Sequence, residues 1–148
     1  MATEKDTMNL EKNRAIGKKT MDAQTDETRK KQAAFWLEYG HQLNTTIRYT
    51  EALRAFERSL ALDDTNAEVW YAKGTCLAML AQNEQALEAF EHALILNAVY
   101  VPAWDGMAWV QGILGHKAEA LTAVNRALEL DPAYFEAAKR KKRLEAME

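Results

Sequence analysis

Between residues 33 and 134 the apolar positions return every three or four residues, in separate blocks. Trp70, Gly74, Leu77 and Leu80 stand at i, i+4, i+7 and i+10, the spacing of one face of an α-helix. A second block, Ala86-Leu87-x-Ala89-Phe90-x-x-Ala93-Leu94-x-Leu96, keeps the same period and carries a wider apolar face. Short polar stretches separate the blocks: Thr45-Thr46, Gln82-Asn83 and Gly115-His116-Lys117. Connections this short set neighbouring helices antiparallel. Pro102 falls in the first turn of its block, where the missing N–H is harmless, and Pro132 falls between blocks. The pattern predicts an all-α chain of helix–turn–helix units with no strands.

The units repeat. Trp36, Trp70 and Trp104 are 34 residues apart. Superposing 33–66, 67–100 and 101–134 aligns Ala52/Ala86/Ala120, Leu53/Leu87/Leu121, Ala55/Ala89/Ala123 and Phe56/Phe90/Val124. The small residues Ser59/Ala93/Ala127 follow, then Leu60/Leu94/Leu128 and Leu62/Leu96/Leu130. Gly40 and Gly74 share a column with Ala108. Glycine inside a helix costs about 0.5–1 kcal/mol relative to alanine, so these positions predict close approach of a partner helix. A fixed period of this length marks a solenoid, a fold that offers a surface for binding rather than a closed pocket.

The ends differ from the middle. Residues 33–132 carry 6 basic and 13 acidic side chains, residues 1–32 carry 8 and 6, and residues 133–148 carry 5 and 3. A solenoid needs a polar last helix to cover its exposed end. Tyr134–Met147 fits that role, with Phe135, Ala138 and Leu144 facing inward and the basic run Lys139–Arg143 facing water. Thr25 before Asp26 and Glu27 has the form of a helix start, which puts the beginning of the first helix ahead of Ala33. Met1–Gln24 is charged and sparse in large apolar residues, and is expected to be a disordered or weakly helical tail. Shifting the frame back by one period puts Lys18 and Asp22 in the alanine and phenylalanine columns, so no fourth repeat is hidden there. The domain reading is a tail over 1–24 and a repeat domain over 25–148.

This column set resembles the tetratricopeptide repeat, whose pattern runs W-x-x-L-G-x-x-Y, then A-x-x-x-F-x-x-A, then a proline. The third copy reads Trp104-x-x-Met107-Ala108-x-x-Gln111, then Ala120-x-x-x-Val124-x-x-Ala127, with Pro132 in the last place. Departures are Tyr39 and Lys73 for leucine, Gln111 for an aromatic, and Asp64 and Ala98 for proline. The resemblance implies an α-solenoid of three helix-turn-helix units and about seven helices in a right-handed superhelix. It implies a protein or peptide partner and says nothing about which one, because the matching residues are packing residues.

Composition adds limits. At 148 residues and 48% apolar content the chain is one domain with enough material for a core. A single cysteine excludes an internal disulfide framework, and no apolar run approaches the ~18 residues of a membrane span. A hydrophobic signal core is missing from the N-terminus, so the cytoplasm is the expected compartment. The acidic balance argues against nucleic acid as the main partner. Cys76 reads as a buried core thiol. His41, His92 and His116 make no metal-ligand spacing, and Asp63-Asp64 and Asp131 sit at helix ends where acids serve turns. With no glycine-rich phosphate loop and no nucleophile–base grouping, the chain is expected to be non-enzymatic, with no cofactor and no metal.

The resemblance places the ligand-lining columns of the concave wall at Leu37, His41 and Asn44, at Tyr71, Thr75 and Met79, and at Asp105, Trp109 and Ile113. Trp109 stands outside the tryptophan period. Two arrangements fit it: an anchor in an exposed apolar strip with Tyr71 and Met79, or a ring packed on the closing helix or under the N-terminal tail. Some members of the family clamp the carboxylate of chaperone tails with lysine, asparagine and arginine. The corresponding places hold Leu37, His41, Ala72, Pro102 and Gly106, so this chain is not expected to be such a clamp. The expected function is an adaptor that binds a peptide or helix in its groove, as a monomer or weak homo-oligomer, without nucleic acid or membrane. The alternative is a structural protein whose function is self-association.

Overall fold

A computed structural model describes residues 1–148. Seven α-helices account for the ordered chain: α1 (Glu4–Thr45), α2 (Tyr49–Leu62), α3 (Ala67–Met79), α4 (Asn83–Leu96), α5 (Val101–Ile113), α6 (Lys117–Leu130) and α7 (Phe135–Ala146). The starts of α2, α4 and α6 are spaced by 34 residues, and so are those of α3, α5 and α7. Each helix packs on its chain neighbours, and α1, α3, α5 and α7 also touch in succession. The result is a solenoid of two helix rows, α1, α3, α5 and α7 in one and α2, α4 and α6 in the other, all-α as the apolar period predicts.

The repeated columns are the core. Ala52, Ala86 and Ala120 are fully buried, as are Phe56, Phe90 and Val124. Glycine is required where the phenylalanines lie. A Cβ on Gly74 would stand 2.7 Å from the Phe90 ring, and one on Gly106 would stand 2.8 Å from the same ring. Phe90 is thus gripped between the first helix of its own unit and the first helix of the next. A Cβ on Gly40 would likewise stand 2.5 Å from the Phe56 ring, and Phe56 shares a cluster with Ala72 and Val69 of α3.

The connections repeat as well. Within each unit the helix end closes with an amide five residues on: Arg48 N–H donates to Leu43 O at 3.0 Å, Gln82 to Leu77 at 2.9 Å and His116 to Gln111 at 2.8 Å. This closure needs a left-handed residue, found at Ile47 (φ 63°), Ala81 (φ 60°) and Gly115 (φ 80°). Between units an Asx turn starts each link: Asp63, Asn97 and Asp131 accept from the amides of Thr65, Val99 and Ala133 at 3.0, 3.1 and 3.0 Å. The Thr65 hydroxyl and amide hold the Asp63 carboxyl below its usual pKa. Trp70 and Trp104 donate their indole N–H to Asp64 O and Ala98 O, each at 2.9 Å, so the periodic tryptophans tie the inter-unit links to the helices.

Two expectations about the ends change. The N-terminal tail is helical and continuous with α1, capped by Thr3 and Asp6 in a reciprocal capping box. Thr25 does not start a helix; its hydroxyl donates to Met21 O at 2.9 Å, one turn back inside α1, a bond threonine makes readily mid-helix. The segment holds Lys, Glu, Met, Arg and Ala among its residues and no proline, so good helix formers are present and nothing breaks the helix. Its lack of apolar patterning shows in another way, since every residue before Ala33 is exposed. At the other end Phe135 is 70% exposed, and the helix α7 packs through Ala137 and Leu144 instead. Its basic run is not wholly solvated, because Arg140 turns inward.

Candidate functional site

The first helices of the three units carry the candidate wall. In α1, Leu37 is half-buried against the first core cluster. His41 Nε2 lies 3.2 Å from Glu68 Oε1 across the α1–α3 junction, and its ring stands 5.4 Å from that of Phe56. Asn44 faces inward, where its Oδ1 accepts from the Cys76 thiol at 3.7 Å. Cys76 is fully buried, and burial pushes its thiol up to about 11. In α3, Tyr71 is wedged between Phe90 and Tyr100, with ring centroids 5.8 and 5.6 Å away; burial raises its hydroxyl above the usual range. Thr75 Oγ1 donates to Tyr71 O at 3.1 Å. Met79 is open to solvent at 46% exposure.

In α5 the candidates divide. Asp105 is 6% exposed and takes two hydrogen bonds from the Arg140 guanidinium of α7, at 2.6 and 3.0 Å. It is therefore a structural anchor and does not line a groove. The same guanidinium stands 5.9 Å from the centre of the Trp109 ring, and Trp109 packs partly into the third core cluster with Tyr71 and Leu114. Of the two arrangements open to Trp109, the ring shares features of both: it contacts the closing helix, and it keeps an accessible edge. Ile113 is 55% exposed. Met79 and Ile113, 34 residues apart near the ends of α3 and α5, are thus exposed, while Tyr71 and Trp109 are half-buried.

Three participants escaped the sequence reading. Tyr100 and Tyr134, themselves 34 residues apart, cap α5 and α7, and burial pushes both hydroxyls up to about 12. Their shared column was a signal available in the sequence. Arg140 had none, because its partner lies 35 residues away in a different unit. No three His, Cys, Asp or Glu side chains converge as a metal site would require. No helix is long and apolar enough to cross a membrane.

Seven helices in a 34-residue period, packed on small and aromatic columns, define a helical-repeat scaffold. The tetratricopeptide-repeat pattern matches residues 55–88 and again 101–134, so the chain contains tetratricopeptide repeats. Such a repeat is a protein-interaction scaffold rather than a catalytic fold. No curated protein matches the sequence. Among solved structures, the TPR domain of Arabidopsis OM64 is 20% identical, with 79% of this chain and 97% of that one covered at a TM-score of 0.78. The first TPR of Spaghetti (RPAP3), bound to the HSP90 peptide SRMEEVD, is 22% identical, with 78% and 92% covered at 0.76. MamA is 21% identical, with 97% and 84% covered at 0.72. At these identities the likeness is one of fold.

Proposed function

We propose that the chain is an adaptor that binds an extended or helical segment of a partner protein along the wall formed by α1, α3 and α5. The single observation that supports this reading is the exposure of two large apolar side chains at equivalent positions of α3 and α5, Met79 and Ile113, with Tyr71 and Trp109 half-buried on the same helices. Exposed contiguous apolar surface marks interaction sites, and tyrosine and tryptophan are typical anchors. Leu37, His41 and Thr75 belong to the same proposed wall; Asn44 and Asp105 serve it only by fixing α1 to α3 and α5 to α7.

Structural relatives take acidic chaperone tails, one of them SRMEEVD. The clamp positions here hold Leu37, His41, Ala72, Pro102 and Gly106, and the nearby Arg140 is already engaged by Asp105. The proposed ligand is an apolar segment, and titration calorimetry with SRMEEVD should give no binding. The positive test is affinity capture from native lysate with the intact chain and with a Met79→Glu/Ile113→Glu variant. Both residues are exposed, so the variant should keep its helicity and melting temperature while losing its partner. Retention of the same partner by the variant, or salt-sensitive binding of SRMEEVD, would refute the reading.

A further inference from the structure

One face of the molecule lacks the cover that its repeats demand. Phe35 belongs to a column whose other members, Val69 and Ala103, are 1% and 0% exposed, yet Phe35 is 62% exposed. Val69 is buried because α1 and α2 pack over it. For Phe35 there is no earlier helix pair. Its ring stacks on Tyr39 at 6.3 Å and meets Trp36 edge-on at 5.4 Å, leaving an aromatic patch on the outer face of α1.

The patch continues along α1. Met21, Gln24, Thr28, Gln32, Phe35 and Tyr39 fall at intervals of three and four, so they share one face of the helix. None is charged, although the same stretch holds Asp22, Asp26, Glu27, Arg29, Lys30, Lys31 and Glu38 on its other sides. Every residue of the helix over Glu4–Gln32, a length of about 43 Å at 1.5 Å per residue, is exposed, and its Met21–Gln32 end runs beside Leu60–Thr65 at the end of α2 without being covered by it. A lone helix gains little from propensity, and most helical stability in proteins comes from packing. The chain cannot provide that packing itself, since α1 is continuous and carries both the stripe and the patch.

We propose that α1 is a homodimerisation helix, and that its Met21–Tyr39 stripe packs antiparallel against the same stripe of a second copy, with the two-fold axis near Thr28. Charge selects both the occupant and the direction. Asp22, Asp26 and Glu27 precede Thr28, and Arg29, Lys30 and Lys31 follow it. An antiparallel pair sets the acidic cluster of one copy beside the basic cluster of the other, whereas a parallel pair sets like against like. The arrangement also brings the aromatic patch of each copy onto the slender part of its partner's stripe around Met21 and Gly17, where a helix can approach closely because Gly17 has open space around it.

Sedimentation velocity over a range of concentrations should show a monomer–dimer equilibrium, with helicity rising as the dimer forms. Phe35→Glu and, separately, Thr28→Lys should each raise the dissociation constant by about tenfold or more, the scale of losing one interface anchor. Both positions are exposed, so the monomer should stay folded. In a Cys76→Ala background, Thr28→Cys should oxidise to a disulfide-linked dimer and Met21→Cys should not. A monomer at every concentration, whatever else the stripe binds, overturns the proposal. So does a dimer indifferent to both charge substitutions, and so does cross-linking at Met21→Cys, which would mean parallel pairing.

Discussion

Replacing Arg140 with alanine strips the Asp105 carboxylate, 6% exposed in the intact chain, of both its hydrogen bonds. Breaking a buried pair from one side costs about 3–5 kcal/mol, because an uncompensated charge stays behind. Arg140 retains 22% of its side-chain surface, which puts Arg140→Ala at the lower end, about 3 kcal/mol. Asp105→Ala should cost less, about 1–2 kcal/mol. The freed guanidinium sits on a long stem, can turn to water, and keeps its position above Trp109, a contact of about 0.5–1 kcal/mol. The double variant should cost about 2 kcal/mol, less than Arg140→Ala alone because no buried charge remains, giving a coupling of about 2.5 kcal/mol between the two sites. Urea denaturation of the four proteins gives the cycle. Native-state amide exchange gives its location: a terminal helix of a repeat array opens locally, so 3 kcal/mol should appear as exchange in α7 faster by about two orders of magnitude. Single variants that are additive, each costing under about 0.5 kcal/mol, would show that the pair is no anchor and that α7 is held by Ala137 and Leu144 alone.

Two further outcomes are expected. Ile47 is a β-branched residue at φ 63°, 71% exposed, so Ile47→Gly should stabilise the chain by about 1 kcal/mol; an unchanged or lower urea midpoint would contradict this. The thiol of Cys76, ordinarily 9.0, is pushed up to about 11, and the hydroxyls of Tyr100 and Tyr134, ordinarily 10.0, to about 12. The unfolded chain releases these protons first, so the folded state binds more of them and stability must fall as pH rises from about 9 to 12. Cys76→Ala should remove the 9–11 part of that fall, and denaturant midpoints measured across the range would show whether it does.

What could be read from the sequence was whatever recurs. Phe56, Phe90 and Val124 announced the core because three copies placed them in one column, and the structure buries all three completely. The wall was legible only in part. Met79 and Ile113 are open, but the sequence could not reveal that Asp105 is consumed by Arg140, since neither side chain recurs and their pairing depends on how α7 folds back on α5. The N-terminal part of α1 was missed for a different reason. Helix propensity without an apolar stripe for a core leaves no periodic trace, and the stripe that does exist is built from three uncharged polar residues, one methionine and two aromatics. Phe135 was misplaced because it shares a helical face with Ala138, whereas α7 packs through Ala137 and Leu144 and so turns Phe135 to solvent.

The grip on the ring of Phe90 has a mechanical consequence. A flat, rigid side chain seated against Gly74 and Gly106 works as a dowel between successive units, and Phe56 does the same between the first unit and α3. At the third joint the column holds Val124, too short to reach into both neighbours, and the Asp105–Arg140 ion pair, held by two hydrogen bonds and not by an interlocked ring, takes its place. Stiffness should therefore decline along the array, with two keyed joints at the start and a hinge before α7. A partner lying on the wall would meet a fixed jaw on the side of α1 and a yielding one beyond Trp109.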